Sequence, residues 1–356
     1  MAKGTRQEAK LLNKYLDQVR SKIYGAYEDL LSEDKMITAS AIKKRYFGDD
    51  KVQRSLNDLF VYHNELSEHS LSKHTLRHYK VTQGYLTKFI IEKFNQDDYR
   101  LIDLNFPFIK DFEFFLKSYQ PVDHQRKMSH NTAMKHLQRL RKMVTMAYHH
   151  EWIPRDPFVR FKSTFQNKRR EFLTQEELES IENFQSSINR LIVVKDIFLF
   201  SCYTGLSYID ITKLTMDHVK MDFDGNQWIE TERQKTKVAL KIPLLNQSRI
   251  ILKKYQNHPK TVSDQKLLPH YSNQKLNSYL KEIADFCGIT KRLTFHVARH
   301  TFATTITLTN GVPIETVSKL LGHTKLTTTQ IYARVVDKKV KEDMALLNTK
   351  LNTSSN

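Results

Sequence analysis

Thr294-Phe-His-Val-Ala-Arg-His-Thr-Phe-Ala-Thr304 is the stretch on which the reading of this chain turns. It puts His296 and Arg299 three residues apart, on one side of a helix. Working outward, Leu320-Leu-Gly-His323 reads as a helix closed by Gly322, and Thr328-Thr-Gln-Ile-Tyr332 follows with a tyrosine nine residues past the histidine. Upstream, the alternating, β-branched run from Val219 to Leu244 predicts a small antiparallel sheet with Asp224-Gly as a hairpin turn. It carries Arg233 and Lys235, alternate residues that would share a face on an extended strand. Further back, Thr204-Gly-Leu-Ser207 ends a buried helix, and Gly205 supplies the left-handed stop. Each feature alone has a structural explanation. Together, in this order, they supply an arginine, two histidines, a lysine and a tyrosine for one site.

The composition narrows what such a site could act on. The chain has 356 residues, 57 Lys+Arg against 39 Asp+Glu, and a formal charge of +18. Half of that excess, +9, falls between residues 61 and 170. A 40% apolar share with 11% aromatics is enough to build packed cores. No apolar run approaches a membrane span, and the N-terminus leads into charge rather than a signal-peptide core. Cys202 and Cys287 stand alone, which argues against a disulfide scaffold or a zinc finger and suits a reducing compartment. The expected partner is a polyanion.

Glycine is scarce, nine residues in all, and the first 200 residues read as mostly helical. Apolar spacing predicts a long amphipathic helix over residues 7–31 and a short one from Ala41 to Gly48. Further helices are predicted over Thr75–Phe94, from Pro107, and after Ser129, whose hydroxyl is placed to cap the third. The polar side of that third helix is read as Lys135, His136, Arg139, Arg141 and Lys142. Arg126 and Lys127 precede it, and Arg169 and Arg170 follow the bundle, a pattern suited to phosphate contact. Thr174 and Glu177 form a capping-box pattern at the start of a second folded unit. Helices are expected again over Asn273–Cys287, Phe295–Leu308, Pro313–Leu321 and from Thr327 to the tail.

These marks resemble the tyrosine recombinase (phage-integrase) family, and most of all its conjugative-transposon and mobile-element integrases. The resemblance rests on Thr204-Gly-Leu, Lys235 before Pro243, His296/Arg299/His300, Leu321-Gly-His323 and Tyr332. It implies a mainly α fold with a small antiparallel sheet: a helical, SAM-like core-binding domain and an α+β catalytic domain forming a C-shaped clamp on DNA. The expected boundaries are 1–55 for the helical remainder of an arm-binding module, 56–165 for the core-binding domain and 166–171 for a linker. The catalytic domain would follow at 172–340 and a C-terminal helix or tail at 341–356. The implied activity is site-specific integration or excision of a mobile element, with strand exchange between two duplexes. It needs no cofactor and no metal. The implied partners are double-stranded DNA, three further copies in a homotetramer on DNA, and possible accessory DNA-bending proteins, with no membrane. The setting would be the bacterial cytoplasm, associated with the nucleoid.

In that reading Tyr332 attacks phosphorus, leaving a 3′-phosphotyrosine and a free 5′-hydroxyl. Arg299, His296 and His323 stabilise the charge on the phosphoryl oxygens, and Lys235 protonates the departing oxygen. One position departs from the family: Ser207 stands where an arginine usually follows the Thr-Gly-Leu turn. Loss of one such donor typically costs about 2.7–4 kcal/mol of transition-state stabilisation. Either the chain binds DNA without cutting it, or another cation substitutes, and Arg233 is the candidate. Asp210 is expected to tether the turn, and His300 to pack or support the site. A DNA invertase or resolvase of the same chemistry is the alternative among enzymes.

Overall fold

The structure is a computed structural model. It describes residues 7–48, 54–121, 127–167, 170–333, 344–345 and 347–349. The chain divides into two compact units, residues 1–167 and 168–356.

The first unit is helical. α1 (Gln7–Ser32) and α2 (Ala39–Phe47) pack against one another, with Ala26 and Leu30 buried. The Arg45 guanidinium fixes their turn by donating to both carboxylate oxygens of Glu33, at 3.0 and 2.6 Å. Further α-helices among the described residues are α3 (Leu56–Glu68), α4 (Lys73–Phe94), α5 (Phe106–Ser118) and α6 (His130–His149). Each begins at a side-chain cap that satisfies an otherwise unpaired backbone N–H: Ser55, Ser72, Asn105 and Ser129 respectively. Their apolar faces close on a core of Leu59, Leu86, Phe89, Phe108, Phe112, Leu137 and Val144.

His136 does not lie on the polar side of α6: it is 5% exposed, and its Nδ1 is 2.8 Å from the Thr82 hydroxyl of α4. Arg141 is half-buried and leans on the Phe161 carbonyl at 3.5 Å. The outward charges of α6 are therefore Lys135 and Lys142, with half-buried Arg139 between them on the same face.

The second unit starts with α7 (Gln175–Asn183), capped reciprocally by Thr174 and Glu177. α8 (Asn189–Thr204) runs through the middle of the unit, buried nearly all round, which is why its sequence shows no polar stripe. Gly205 ends it at φ +69°, and the short α9 (Tyr208–Ile211) follows. β1 (Val219–Met221), β2 (Gln227–Glu232) and β3 (Ala239–Pro243) form an antiparallel sheet in that order, with Ile229 opposite Ile242 facing the core. α10 (Asn246–Tyr255), α11 (Pro259–Asp264) and α12 (Asn273–Phe286) lead to α13 (Phe295–Thr301). α8, α10, α12 and α13 enclose the main core.

The helix expected to run from Phe295 to Leu308 changes geometry part-way. It widens to a π-helical turn over Phe302–Thr307, where the Thr307 hydroxyl donates to the carbonyls of Phe302 and Ala303. α14 (Ile314–Leu320) and α15 (Gln330–Ala333) follow, the latter after a 3₁₀ turn at Leu326–Thr328 rather than as one helix from Thr327. The C-terminal helix or tail expected at 341–356 falls mostly outside the described residues, as do Arg126 and Arg169. No helix among the described residues is long and apolar enough to cross a membrane.

Candidate active site

Two glycines at helix ends build the site. Gly205 closes α8 and Gly322 follows α14, both with left-handed backbones (φ +69° and +61°). A Cβ on Gly205 would lie 2.5 Å from the Phe302 ring, and one on Gly322 would lie 2.6 Å from Leu240. Only glycine fits both the backbone conformation and the space. Each turn leaves its carbonyl aimed at a guanidinium. Arg299 Nη1 donates to Gly205 O at 2.6 Å, and Arg233 Nη1 donates to Gly322 O at 3.0 Å. Arg299 Nη2 also donates to Leu321 O and lies 3.3 Å from His323 Nε2. Arg233 and Arg299 thus grip adjacent carbonyls of the Leu-Gly-His segment.

Among the described residues neither arginine has a carboxylate in ion-pair contact. The nearby carboxylate, Asp210, is engaged elsewhere: it accepts from the Ser207 hydroxyl at 2.6 Å and from the backbone N–H of Gln234 at 2.9 Å. Ser207 and Asp210 therefore tie the β2–β3 turn to the end of α8. Arg233 also carries a buried Nε with no partner. Burial, reinforced by the charge of Arg233, pulls the Arg299 pKa down to about 10, which still leaves it cationic at neutral pH.

Arg233 reaches this place by a different route from the one its spacing suggests. β2 stops at Glu232 and β3 starts at Ala239, so Arg233 and Lys235 sit in a turn rather than on a strand face. Arg233 N–H donates to Val238 O and Lys237 N–H to Arg233 O, with Lys237 at φ +55°. Lys235 is exposed on that turn, and its charge is felt at the imidazole of His296. His296 is exposed at the start of α13, where its ring meets His300 edge-on at 4.4 Å.

His323 and Tyr332 are linked through Thr329, which is fully buried. His323 Nδ1 lies 2.8 Å from the Thr329 hydroxyl, and Thr329 O accepts from the Tyr332 N–H at 3.0 Å. Burial, then the two guanidiniums, hold the His323 pKa near 4. Tyr332 is 5% exposed and packs against Phe302, Leu308, Val317 and Leu321. Its hydroxyl lies 2.9 Å from His300 Nδ1. Burial raises the phenol pKa, while Arg299, Arg170 and Arg233 pull it the other way. The site therefore gathers Arg233, Arg299, His323, His300 and Tyr332, with His296 and Lys235 on its exposed side.

Two residues stand nearer the tyrosine than their sequence reading placed them. Arg170, read from sequence as a DNA-contacting cation at the linker, lies close enough for its charge to act on Tyr332, His300 and His296. Its neighbourhood is fixed by Leu173, whose N–H donates to the Thr301 hydroxyl at 3.0 Å. His300 contacts the tyrosine directly. The signal available for it was its four-residue spacing from His296, which stacks the two rings on one helix face.

Known proteins resemble this chain in sequence and fold. The phage integrase SAM-like domain profile matches residues 55–165, and the phage integrase family profile matches residues 171–339. The chain belongs to the phage integrase family. Among curated relatives of this phage-integrase-family chain, a tyrosine recombinase XerD of Listeria innocua is 35% identical over 152 residues, 39% of this chain and 49% of the relative. The chain thus spans about half the length of the XerD relatives it matches. A tyrosine recombinase XerC of the same species is 24% identical over 290 residues, covering 77% of this chain and 91% of the relative. Two solved structures share the phage-integrase fold. A lambda integrase dimer bound to a COC′ core site matches with a TM-score of 0.62 and 15% identity, over 87% of this chain and 84% of that one. The Tn1549 transposon integrase in complex with a circular intermediate DNA matches with a TM-score of 0.59 and 16% identity, over 81% and 98%.

Proposed function

We propose that this protein is a site-specific DNA recombinase that cuts and rejoins DNA through Tyr332. The observation that carries the reading is the pair of guanidiniums, Arg299 and Arg233, anchored on adjacent carbonyls with no carboxylate partner among the described residues, in the same unit as a buried tyrosine. Buried and half-buried cations held by carbonyls and an imidazole favour an anion between them. A guanidinium has five N–H groups, and the three contacts of Arg299 leave donors for phosphoryl oxygens.

The chemistry is an ester exchange. The Tyr332 oxygen bonds to phosphorus as the bond from phosphorus to the 5′-oxygen breaks. The phenolic proton passes to solvent, and Lys235 supplies one to the departing oxygen. Arg299 and Arg233 take up charge on the non-bridging oxygens, with His323 and His296 as further donors. Arg233 here stands in for the arginine absent at Ser207. The free 5′-hydroxyl of another strand then attacks the phosphotyrosine and restores the backbone. One ester replaces another at each step, so the exchange consumes no ATP.

The charge on α6 supports DNA as the substrate: Lys135, Arg139 and Lys142 lie along one helix face, and Lys127 precedes it. Arg126, Arg169 and Arg170 complete the proposed DNA-contacting set. The resemblance to transposon integrases supports a mobile element as the physiological substrate, with four copies assembled on DNA in the bacterial cytoplasm and accessory DNA-bending proteins as possible partners. The domain limits expected from the sequence belong to the same proposal.

The test is a duplex taken from the DNA flanking the gene and nicked beside the crossover, so that the short product diffuses away. The enzyme should become trapped in a detergent-stable DNA adduct. Specific binding without any adduct would favour the second reading, a DNA-binding relative that lost cleavage with the arginine missing at Ser207.

A further inference from the structure

The reactive hydroxyl of this site is not free. Tyr332 and His300 are both buried, at 5% and 4% exposure, their ring centroids are 5.2 Å apart, and the hydroxyl lies 2.9 Å from Nδ1. His300 follows Arg299 directly on α13, so the helix that places the guanidinium also places the imidazole. We propose that His300 is a positioning residue for the tyrosine, holding its hydroxyl inside its own catalytic unit beside the guanidinium cage before a phosphate arrives. This rests on the reading of Tyr332 as nucleophile.

The direction of the hydrogen bond follows from burial. A buried hydroxyl needs an acceptor for its proton, and among the described residues His300 is the hydroxyl's hydrogen-bond partner. Nδ1 must then be the unprotonated nitrogen, with the ring proton on Nε2. The charged groups acting on the ring all favour this neutral form: after burial itself come His296, Arg170, Arg299 and His323, and together they hold its pKa near 3. Such an imidazole is a poor base for the phenol, whose pKa burial raises above 10. The imidazole is held far below its ordinary range and the phenol above its own, so proton transfer between them is strongly uphill. The contact orients the tyrosine; it does not ionise it. Ionisation waits for the charges of Arg299, Arg233 and Arg170 to act on a phenol in line with phosphorus.

The experiment uses the full chain. His300→Phe keeps the bulk and removes the acceptor, whereas His300→Asn puts an amide oxygen close to the place of Nδ1. With tyrosines labelled at ¹³Cζ, and the Tyr332 resonance assigned through Tyr332→Phe, the Tyr332 signal should shift in H300F and stay near its original position in H300N. On the nicked flanking duplex H300F should form the adduct at least tenfold more slowly with unchanged DNA affinity, and H300N should recover most of that rate. If H300F does not fold, His300→Ala carries the same two measurements. A Tyr332 resonance unmoved by removal of the acceptor, or an adduct rate equal to wild type, would overturn the proposal. Wild-type protein that forms no adduct would remove the nucleophile reading, and the resonance would still decide the contact.

Discussion

Arg233 and Arg299 donate to the carbonyls of Gly322 and Leu321, two consecutive backbone groups, although the arginines come from a hairpin turn and a helix 66 positions apart in the chain. The Leu-Gly-His segment is thus a spacer that fixes the separation of two positive charges and carries His323 beside them. Ser207, with no charge to offer, ties its hydroxyl to Asp210, which in turn holds the turn that delivers Arg233.

Replacing Arg233 by alanine should depress adduct formation by roughly a hundredfold, the usual effect of removing one donor to a developing oxyanion. DNA affinity, measured by mobility shift at fixed salt, should change by no more than about threefold, because one phosphate contact is a small part of the whole. Lysine at 233 should restore only part of the rate, since it offers a point charge without the paired donors. Equal cleavage by R233A and wild type would remove Arg233 from the site.

Lys235 is tested by its leaving group. K235A should slow cleavage by about 10²–10⁴-fold, the range for a missing general acid. A duplex with sulfur in place of the bridging 5′-oxygen releases a thiolate that needs no proton, and on it K235A should approach the wild-type rate. A defect of the same size on both duplexes would show that Lys235 is not the acid.

The outward face of α6 should govern salt dependence. Neutralising Arg139 or Lys142 should lower the slope of log K against log salt by about one unit for each phosphate left without its cation. A parallel shift of the plot with no change in slope would place these residues away from the phosphates.

Stability should fall in mild acid. The pKa of His136 is drawn from 6.5 to about 4 by burial first and by Arg139 and His78 second. Since the unfolded chain binds that proton more readily, stability is complete above pH 6.5 and declines as the pH drops toward 4. The change at full depth is on the order of 3 kcal/mol for this residue. Urea midpoints of wild type should decrease across that window, and His136→Gln should flatten the decrease; an identical pH profile for the two proteins would contradict the assignment.

Legibility followed the range of the interactions. Ser129, Thr174 with Glu177, and Gly205 were readable because a cap is decided within four residues. Thr82 lies 54 positions before His136, so nothing in the local pattern of α6 could reveal the inward turn of that histidine. Arg233 and Lys235 failed the strand rule because the backbone of Lys237 turns left-handed and closes the hairpin early. The order His296, Arg299, His323, Tyr332 was readable as a motif. The carbonyls of Leu321 and Gly322, and the seat of the tyrosine on His300, belong to tertiary geometry alone.

The central claim is a covalent bond between one side chain and DNA. Protein trapped on the nicked duplex should be digested with protease and nuclease, and the modified peptide sequenced by mass spectrometry. The account predicts a nucleotide remnant on the phenolic oxygen of Tyr332 and no adduct from Tyr332→Phe. A remnant on another residue, or trapping that survives Tyr332→Phe, would contradict it.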